Sequence, residues 1–379
     1  MKTLHLTPAY KPAYVYGGPT LSVSRLVEAL SQQDHVTEVL TTTANGKKEL
    51  VVVTSQSQML DGVLCTYYPR LTGDHTHFSP ALLVAFLRKL NKTSIIHIHS
   101  WWNLVVIPAL FFCRIRGIRP VLSPRGMLSP YTLQNPIKRL FHQVIGRWLL
   151  RGTVLHATSL QEAQQALSLI PNWPHFILPN IIELPTLGTF HHKSTTVDSC
   201  RFIILSRIHP VKGLEMFFAA LAELDFKWKL QIVGEGDIAY MASLKQLVFD
   251  YGIANQIEWL GWLNGTEKFQ SLANADLFVL PSLSENFANV VLESLATGTP
   301  VIISDQVGLH DYVSAKNLGW VVPLNKEAWV QALQTAWEAR SLRTQIRAQA
   351  PALIHEDFGA EQLAKQYLAA YQQFSQKKS

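Results

Sequence analysis

At 379 residues, with 48% hydrophobic and 16% charged side chains, the chain is long enough to bury two separate cores and too apolar to be disordered over most of its length. Three cysteines (Cys65, Cys113 and Cys200), with no Cys-x-x-Cys pair and no zinc-finger spacing to histidine, leave out a disulfide framework and a structural metal site and fit a reducing cytoplasm. The net charge of +6 is unevenly divided: residues 1–185 hold 17 Lys+Arg against 8 Asp+Glu, a balance of +9, and residues 186–379 hold 16 against 19, a balance of −3.

In chain order, short β-rich apolar runs alternate with amphipathic segments of helical length, the pattern of α/β domains with parallel sheets. A first series of strands is predicted at residues 3–7, 36–41, 63–67, 95–99, 120–123 and 154–157, with helices between. Ser79-Pro80 supplies an N-cap followed by proline at the first helical position, and Ser159 with Glu162 makes a capping box. Residues 184–199 carry Pro, Gly, His-His and Ser/Thr without periodicity and mark a domain boundary. A second series follows at 202–205, 230–233, 257–260, 277–280, 301–303 and 320–322, with two or three helices after Lys326. The polar tail at 372–379 is expected to fray. The reading is thus an N-terminal Rossmann-like domain over 1–185, a C-terminal one over 200–360, and a last helix in 361–379 packing back on the first domain. Two doubly wound domains in tandem put their ligand-binding strand ends on either side of an interdomain cleft.

Five stretches carry chemistry. Gly17-Gly18-Pro19 precedes a helix near 22–31, where glycine lets backbone approach a ligand and a helix start favours an anion. His97 and His99, two apart on a strand, share one face. They suit a metal ion, a hydrogen bond to substrate, or plain core packing, and no third metal ligand is evident in the sequence. Residues 135–151 hold the stripe Ile137, Leu140, Phe141, Val144, Ile145 and Trp148 with Lys138, Arg139, His142 and Arg147 elsewhere. The stripe is expected to be a core face, the alternative being a helix lying on an anionic membrane. Ser206-Arg-Ile-His-Pro-Val-Lys-Gly213 opens a strand end into a helix, so Arg207 and Lys212 can converge on a pyrophosphate. Finally, Ser284-Glu-Asn-Phe-Ala-Asn-Val-Val-Leu-Glu-Ser294 sets Glu285 before a helix beginning near Ala288 and Glu293 within it. Two solvated glutamates, or two carboxylates beside an anion site accepting from sugar hydroxyls, both fit that spacing. Val233-Gly234-Glu-Gly-Asp ends a strand but lacks the third glycine of the dinucleotide fingerprint, so Gly234 is backbone lining.

In this order the motifs resemble glycosyltransferase family 4, the retaining "group 1" nucleotide-sugar transferases of GT-B fold. Ser-Arg-Ile-His-Pro-Val-Lys-Gly is similar to the family's Gly-Arg-Leu-x-x-x-Lys-Gly, Pro281-Ser282 through Glu293 to its Pro-Ser and E-x7-E element, and Leu178-Pro179-Asn180 to its interdomain Pro-Asn. The resemblance implies that Arg207 and Lys212 bind the donor diphosphate, assisted by Gly17, Gly18 and the helix start at Ala288, Asn289 and Val290. It implies that Glu285 with the backbone of Asn286, Phe287 and Ala288 holds the transferred sugar, that Glu293 takes the ribose hydroxyls, and that Trp262 lies beside the base. Such enzymes use no cofactor and no metal, in keeping with the lack of an Asp-x-Asp, and the donor is a nucleoside-diphosphate sugar. Many members carry His-Gly where this chain has Ser123-Pro-Arg-Gly-Met127, so Arg125 or His99 is left to make that sugar contact. The Ser-Pro-Arg-Gly-Met form is similar to the exopolysaccharide and colanic-acid-type branch.

The expected partners are therefore a nucleotide-sugar donor and a glycan or polyprenyl-diphosphate-linked acceptor, with possible contact to an anionic membrane and no nucleic acid, for which no zinc finger, basic zipper or aromatic-interleaved basic tract is present. The N-terminus lacks a signal-peptide pattern, and the longest apolar run, residues 104–113, is about half a membrane span, so a cytoplasmic or peripheral protein is expected. A nucleotide-sugar 2-epimerase of the same fold and a silent nucleotide-sugar sensor are the competing readings; the first makes product without acceptor, the second makes none.

Overall fold

A computed structural model describes residues 2–33, 35–90, 95–129, 132–190 and 199–376. The chain divides into two compact units, Met1–Ile182 with Ala360–Ser379, and Glu183–Gly359.

In the first unit the strands are β1 (Lys2–Leu6), β2 (Val36–Thr42), a two-residue hairpin of β3 (Ala44–Asn45) and β4 (Lys48–Glu49), β5 (Ser57–Leu60), β6 (Val63–Tyr68), β7 (Ile95–His99), β8 (Val121–Ser123), β9 (Val154–Ala157) and β10 (His175–Ile177). Apart from the hairpin they form one sheet in the order β10-β9-β8-β7-β1-β2-β6-β5, parallel except for the antiparallel edge β5. Chain order reverses at β1 and β7, the switch point where open α/β sheets bind ligands. Both faces are covered, so the strands read as near-continuous apolar runs. Leu4 and Leu6 pack with Ile96, Ile98, Leu122 and Leu155 in one core cluster. The register that pairs His5 with His97 places polar residues inside the same sheet. The helix Gly18–Ser31 starts with proline in its first turn and buries Val23, Leu26, Val27 and Leu30. The helix Ala360–Gln376 packs beside it, burying Leu363, Ala364, Tyr367 and Tyr371.

The second unit has β11 (Cys200–Leu205), β12 (Trp228–Val233), β13 (Ile257–Gly261), β14 (Leu277–Leu280), β15 (Val301–Ser304) and β16 (Gly319–Val322) in one all-parallel sheet, order β13-β12-β11-β14-β15-β16. Here the switch point falls between β11 and β14. Phe202, Ile204, Leu230, Ile232, Leu277 and Val279 fill the core with Phe217, Phe218 and Trp329 from the covering helices. The helix Lys326–Glu338 is capped by Asn325, whose side chain accepts from Ala328 N at 2.9 Å.

Several expectations change. The stripe at 137–148 is not a core face: Ile137 is 77% exposed, Leu140 62% and Val144 67%. Residues 136–150 form one helical run whose middle turn, His142–Gly146, is a π turn. The buried side is His142, Gly146, Leu149 and Leu150, with Phe141 resting on Trp102. The extra residue of a π turn rotates the helix, and periodicity identifies a stripe without saying which way it faces. The strands β5 and β10 went unread because one is an exposed Ser-Gln-Met-Leu edge and the other only three residues long. Residues 184–190, the first part of the expected boundary segment, belong to the second unit: His355 Nε2 donates to Pro185 O at 2.8 Å and Phe190 packs 5.9 Å from Phe269. The rest of that segment, 191–198 with its His-His pair, lies outside the described residues. The tail expected to fray from 372 is helical to Gln376, and 377–379 lie outside the described residues. No described helix is long and apolar enough to cross a membrane.

Trp329 is fully buried, and its indole Nε1 has no hydrogen-bond partner. Trp329→Ala is therefore expected to cost about 3–5 kcal/mol through the cavity it leaves. Trp329→Phe removes an unsatisfied donor along with some packing and should cost roughly 1–2 kcal/mol less than the alanine change. Urea denaturation of the two variants checks the difference.

Candidate active site

In the second unit three loops leave neighbouring strand ends and are forced together by missing side chains. Gly234 follows β12 with φ +138, and a Cβ there would sit 1.8 Å from Ser206 O. Gly213 has φ +65, and its Cβ would meet Pro281 O at 2.4 Å. Only glycine permits either approach. The loop after β11 is thus held against the loop after β14, and Leu283 N donates to Val211 O at 2.8 Å. This brings Lys212, on the turn Pro210–Lys212, onto Glu285: the ammonium donates to Glu285 Oε2. Glu285 is pinned from the other side, since its N–H donates to Gln306 O at 3.0 Å and its carbonyl accepts from Gly308 N at 2.8 Å. Arg207 is exposed on the same loop. His209 registers both cations: its pKa is lowered first by burial, then by Arg207 and Lys212.

Beyond Glu285, Asn286 is half-buried, and Phe287 turns its ring inward against Phe358 at 6.4 Å, leaving its backbone as the part that can meet a ligand. Ala288 takes φ +65 and caps the helix Asn289–Ala296, in which Asn289 and Val290 are half-buried. Left-handed backbone at a non-glycine residue is uncommon, and here it turns the loop into the helix start. The first turn carries no acidic residue, so its N–H groups present a positive end. Glu293 pairs with Lys268 at 2.9 Å, and that ammonium lies 4.3 Å over the Phe269 ring. Lys268 was not singled out in the sequence, where nothing in its helix marks it. Trp262, 44% exposed, follows β13 and donates from Nε1 to Asn264 Oδ1 at 2.8 Å.

In the first unit His99 and Arg125 meet. Arg125, with φ +52, sits in the loop after β8 and donates from Nη1 to Ser22 Oγ at 2.7 Å and to Asn180 Oδ1 at 3.1 Å, and from Nη2 to His99 Nδ1 at 3.4 Å. Ser22 lies on the helix that begins after Gly17, which has φ +64; the space about Cβ positions at Gly17 and Gly18 is open. Because His99 Nδ1 accepts, its Nε2 carries the proton toward His5 Nδ1 at 3.0 Å, and His5 Nε2 is left buried without a partner. His5 is the third histidine that the sequence reading lacked. His5, His97 and His99 bring one ring nitrogen each within 4.8 Å of one another, among the described residues the one such group of metal-ligating type. Two features oppose a cation there. Arg125 already points a positive charge at His99, and both nitrogens of His97 are engaged, at 2.6 Å to Tyr371 Oη and 2.6 Å to Ser123 Oγ. The second set runs on: Ser123 Oγ lies 2.6 Å from His156 Nδ1, and His156 Nε2 donates to Leu178 O at 2.9 Å.

Group 1 glycosyl transferase and glycosyl transferase 4-like family models match residues 190–352 and 17–180. The chain belongs to the group 1 glycosyltransferases. Members of this family transfer a sugar from a nucleotide-sugar donor, and its two units have the GT-B architecture of paired Rossmann-like sheets. A D-inositol 3-phosphate glycosyltransferase of Jonesia denitrificans is 24% identical over 98% of this chain and 95% of its own length. An uncharacterized glycosyltransferase of Methanocaldococcus jannaschii is 28% identical, but the match covers 46% of this chain and only 45% of that protein. Among solved structures, Anabaena HepE in complex with UDP and glucose superposes with a TM-score of 0.75 at 18% identity, covering 98% of this chain and 100% of that one.

Burial, aided by Arg125, lowers the pKa of His5 and His156 to about 3 and takes His97 and His99 well below the ordinary value. Unfolded, each titrates near 6.5, so below that pH the folded state binds fewer protons than the unfolded one. The stability these four contribute is whole above about pH 6.5 and is progressively lost as pH falls below it. Urea denaturation at pH 7 and pH 5 should show that loss, and hydrogen exchange at pH 5 should place it in β1, β7 and β9. Equal protection at the two pH values would contradict neutral burial.

Proposed function

We propose that the chain is a retaining, metal-independent glycosyltransferase that moves a hexose-type sugar from a UDP-sugar to a glycan or polyprenyl-diphosphate-linked acceptor in cell-surface polysaccharide synthesis, working at the cytoplasmic face of a membrane. The observation that carries this reading is the pairing of Lys212 with Glu285 at the β11/β14 switch point, with Arg207 exposed on the same loop as Lys212. A diphosphate needs the cations, and sugar hydroxyls need the carboxylate. In this reading Lys212 and Arg207 stabilise the charge that develops on the leaving diphosphate. Glu285, with the backbone of Asn286 to Ala288, orients the sugar; Glu293 takes the ribose and Trp262 flanks the base. Gly17 and Gly18 assist with the diphosphate, and Arg125 or His99 makes the remaining sugar contact. Catalysis is then mostly positioning and leaving-group stabilisation. UDP is favoured by the ligand named for the HepE structure, and the polysaccharide setting by the Ser-Pro-Arg-Gly-Met loop.

A thermal-shift panel of UDP-, GDP- and ADP-sugars tests the donor. Ligand at about 100 times its Kd adds about 2.7 kcal/mol, a rise of a few degrees for a chain of this size. The UDP-sugar is expected to give it. Lys212→Ala and Glu285→Gln should each lower kcat/KM by about 10²-fold or more, in protein that stays folded with a melting temperature lowered by the broken ion pair. Near-normal transfer by either folded variant would sink the assignment, and conversion of donor without any acceptor would favour the epimerase.

A further inference from the structure

Residues 75–161 contain eleven Lys and Arg and not one Asp or Glu. Within this stretch two helical segments turn apolar side chains to solvent. On the run 136–150, Ile137, Leu140, Val144, Ile145 and Trp148 are 77%, 62%, 67%, 45% and 44% exposed. On Val106–Ile115, Phe111 and Ile115 are 44% and 65% exposed. The two sets are continuous, since the Phe111 and Trp148 rings are 6.1 Å apart and the Arg114 guanidinium lies 5.4 Å over Trp148. Around them Arg116, Arg139, Arg147 and Arg151 are exposed, and Lys138 leans over Trp102 at 5.6 Å. The helix is fixed from behind by Leu149 and Leu150, which are buried in the core, and by Phe141 on Trp101 and Trp102. The outward apolar face is therefore not a loosely packed core face: the core side of the same helix is already filled.

The geometry points to this face as the surface by which the first unit lies on an anionic lipid bilayer, with Ile137, Leu140, Val144 and Trp148 entering the headgroup boundary and the arginines meeting lipid phosphates. Three features select that occupant. The helix is about 22 Å long at 1.5 Å per residue, amphipathic by side-chain exposure, and suited to lie in the plane of an interface rather than cross it. Trp148 is a ring of the kind that sits at headgroup level, Phe111 extends the apolar face beside it, and arginine stems cover apolar surface while their heads reach phosphate. A second copy of the chain would place this same patch against itself, cation on cation with no carboxylate among residues 75–161 to pair them. This gives the proposed membrane placement a specific surface. It uses none of the donor chemistry, so the two stand or fall separately.

The full chain is mixed with vesicles of phosphatidylcholine alone or with 30% phosphatidylglycerol, and bound protein is read by co-sedimentation. The anionic vesicles should bind at least ten times more tightly than the neutral ones, and less as salt rises. Ile137→Ser/Leu140→Ser/Val144→Ser and, separately, Arg139→Glu/Arg147→Glu should each weaken that binding at least tenfold. All these side chains are exposed or half-buried, so the fold is retained, and the melting temperature and the UDP-sugar thermal shift should match the parent. Absence of anionic-vesicle binding by the parent overturns the proposal. So does binding that the serine variant leaves intact, or that soluble polyglutamate reproduces, since either would reduce it to plain charge attraction. A concentration-dependent dimer in sedimentation velocity that the serine variant abolishes would assign the face to a second copy and overturn it equally.

Discussion

The close approach of backbone to backbone at Gly213 and Gly234 is the constraint on which the second unit's functional end depends. With a side chain at either position the loop after β11 would be pushed off the loops after β12 and β14, because the obstructing atoms are carbonyl oxygens of Ser206 and Pro281 rather than the tips of flexible side chains. Everything placed at that end follows from this contact. Lys212 is adjacent to Gly213 in sequence and reaches Glu285, four residues beyond Pro281, across it. The strand order β13-β12-β11-β14-β15-β16 then sets the pair at the switch point, where no crossover helix covers the strand ends. The candidate site is thus attached to backbone held by close contacts, which would suit the proposed reaction, catalysed by positioning.

The first unit solves a different problem. Parallel strands buried on both faces normally hold only apolar side chains, yet β1, β7 and β9 bury His5, His97, His99 and His156. Each buried ring nitrogen needs a partner. Most are supplied by a directional chain: Tyr371 donates to His97, His97 to Ser123, Ser123 to His156, and His156 to Leu178 O. Tyr367, one turn before Tyr371 on the last helix, closes the same region by donating to Pro179 O at 3.0 Å. The last helix therefore does more than cover apolar surface, since its two tyrosines complete hydrogen bonds that begin on strands some two hundred residues earlier. A fully satisfied polar network specifies one register where an apolar core tolerates several. The separate set of His5, His99 and Arg125 beside it has two loose ends, His5 Nε2 and Arg125 Nε.

Much of this was legible in the sequence. The strands of both sheets follow from apolar runs bounded by loops, and the motif residues Arg207, Lys212, Glu285 and Glu293 stand out by charge in apolar surroundings. What could not be read depends on contacts between distant segments. Nothing near His5 says that its strand will pair with the strand of His97, so a third histidine was invisible. Lys268 is one lysine among many until its helix packs beside Glu293. The stripe at 137–148 shows a further limit. Its period is helical and its residues apolar, but the direction of the face was decided by a π turn in the middle of the run and by Leu149 and Leu150 at its far end. Charge gave the better signal there, because core faces have no reason to be free of acids for 87 residues, and a surface that meets anions does.

The ion pairs at the second unit's loops bear on how such a site waits for its ligand. Lys212 and Glu285 have side chains only 13% and 24% exposed, and Lys268 and Glu293 only 16% and 13%. Four partly desolvated charges in one region would be unfavourable singly; held as two neutral pairs, their desolvation is offset. In the proposed reading each pair is divided by the donor: the cation turns to a phosphate or stays as a neighbour, and the carboxylate accepts from hydroxyls. A ligand carrying only one of these two features would leave a half-broken pair behind, with a buried charge unmatched. Diphosphate alone would engage Lys212 and strand Glu285, and a free sugar would do the reverse. Discrimination for an intact nucleotide sugar then comes from the pairs themselves, since only a molecule that offers anion and hydroxyls at the right separation replaces both members of a pair at once.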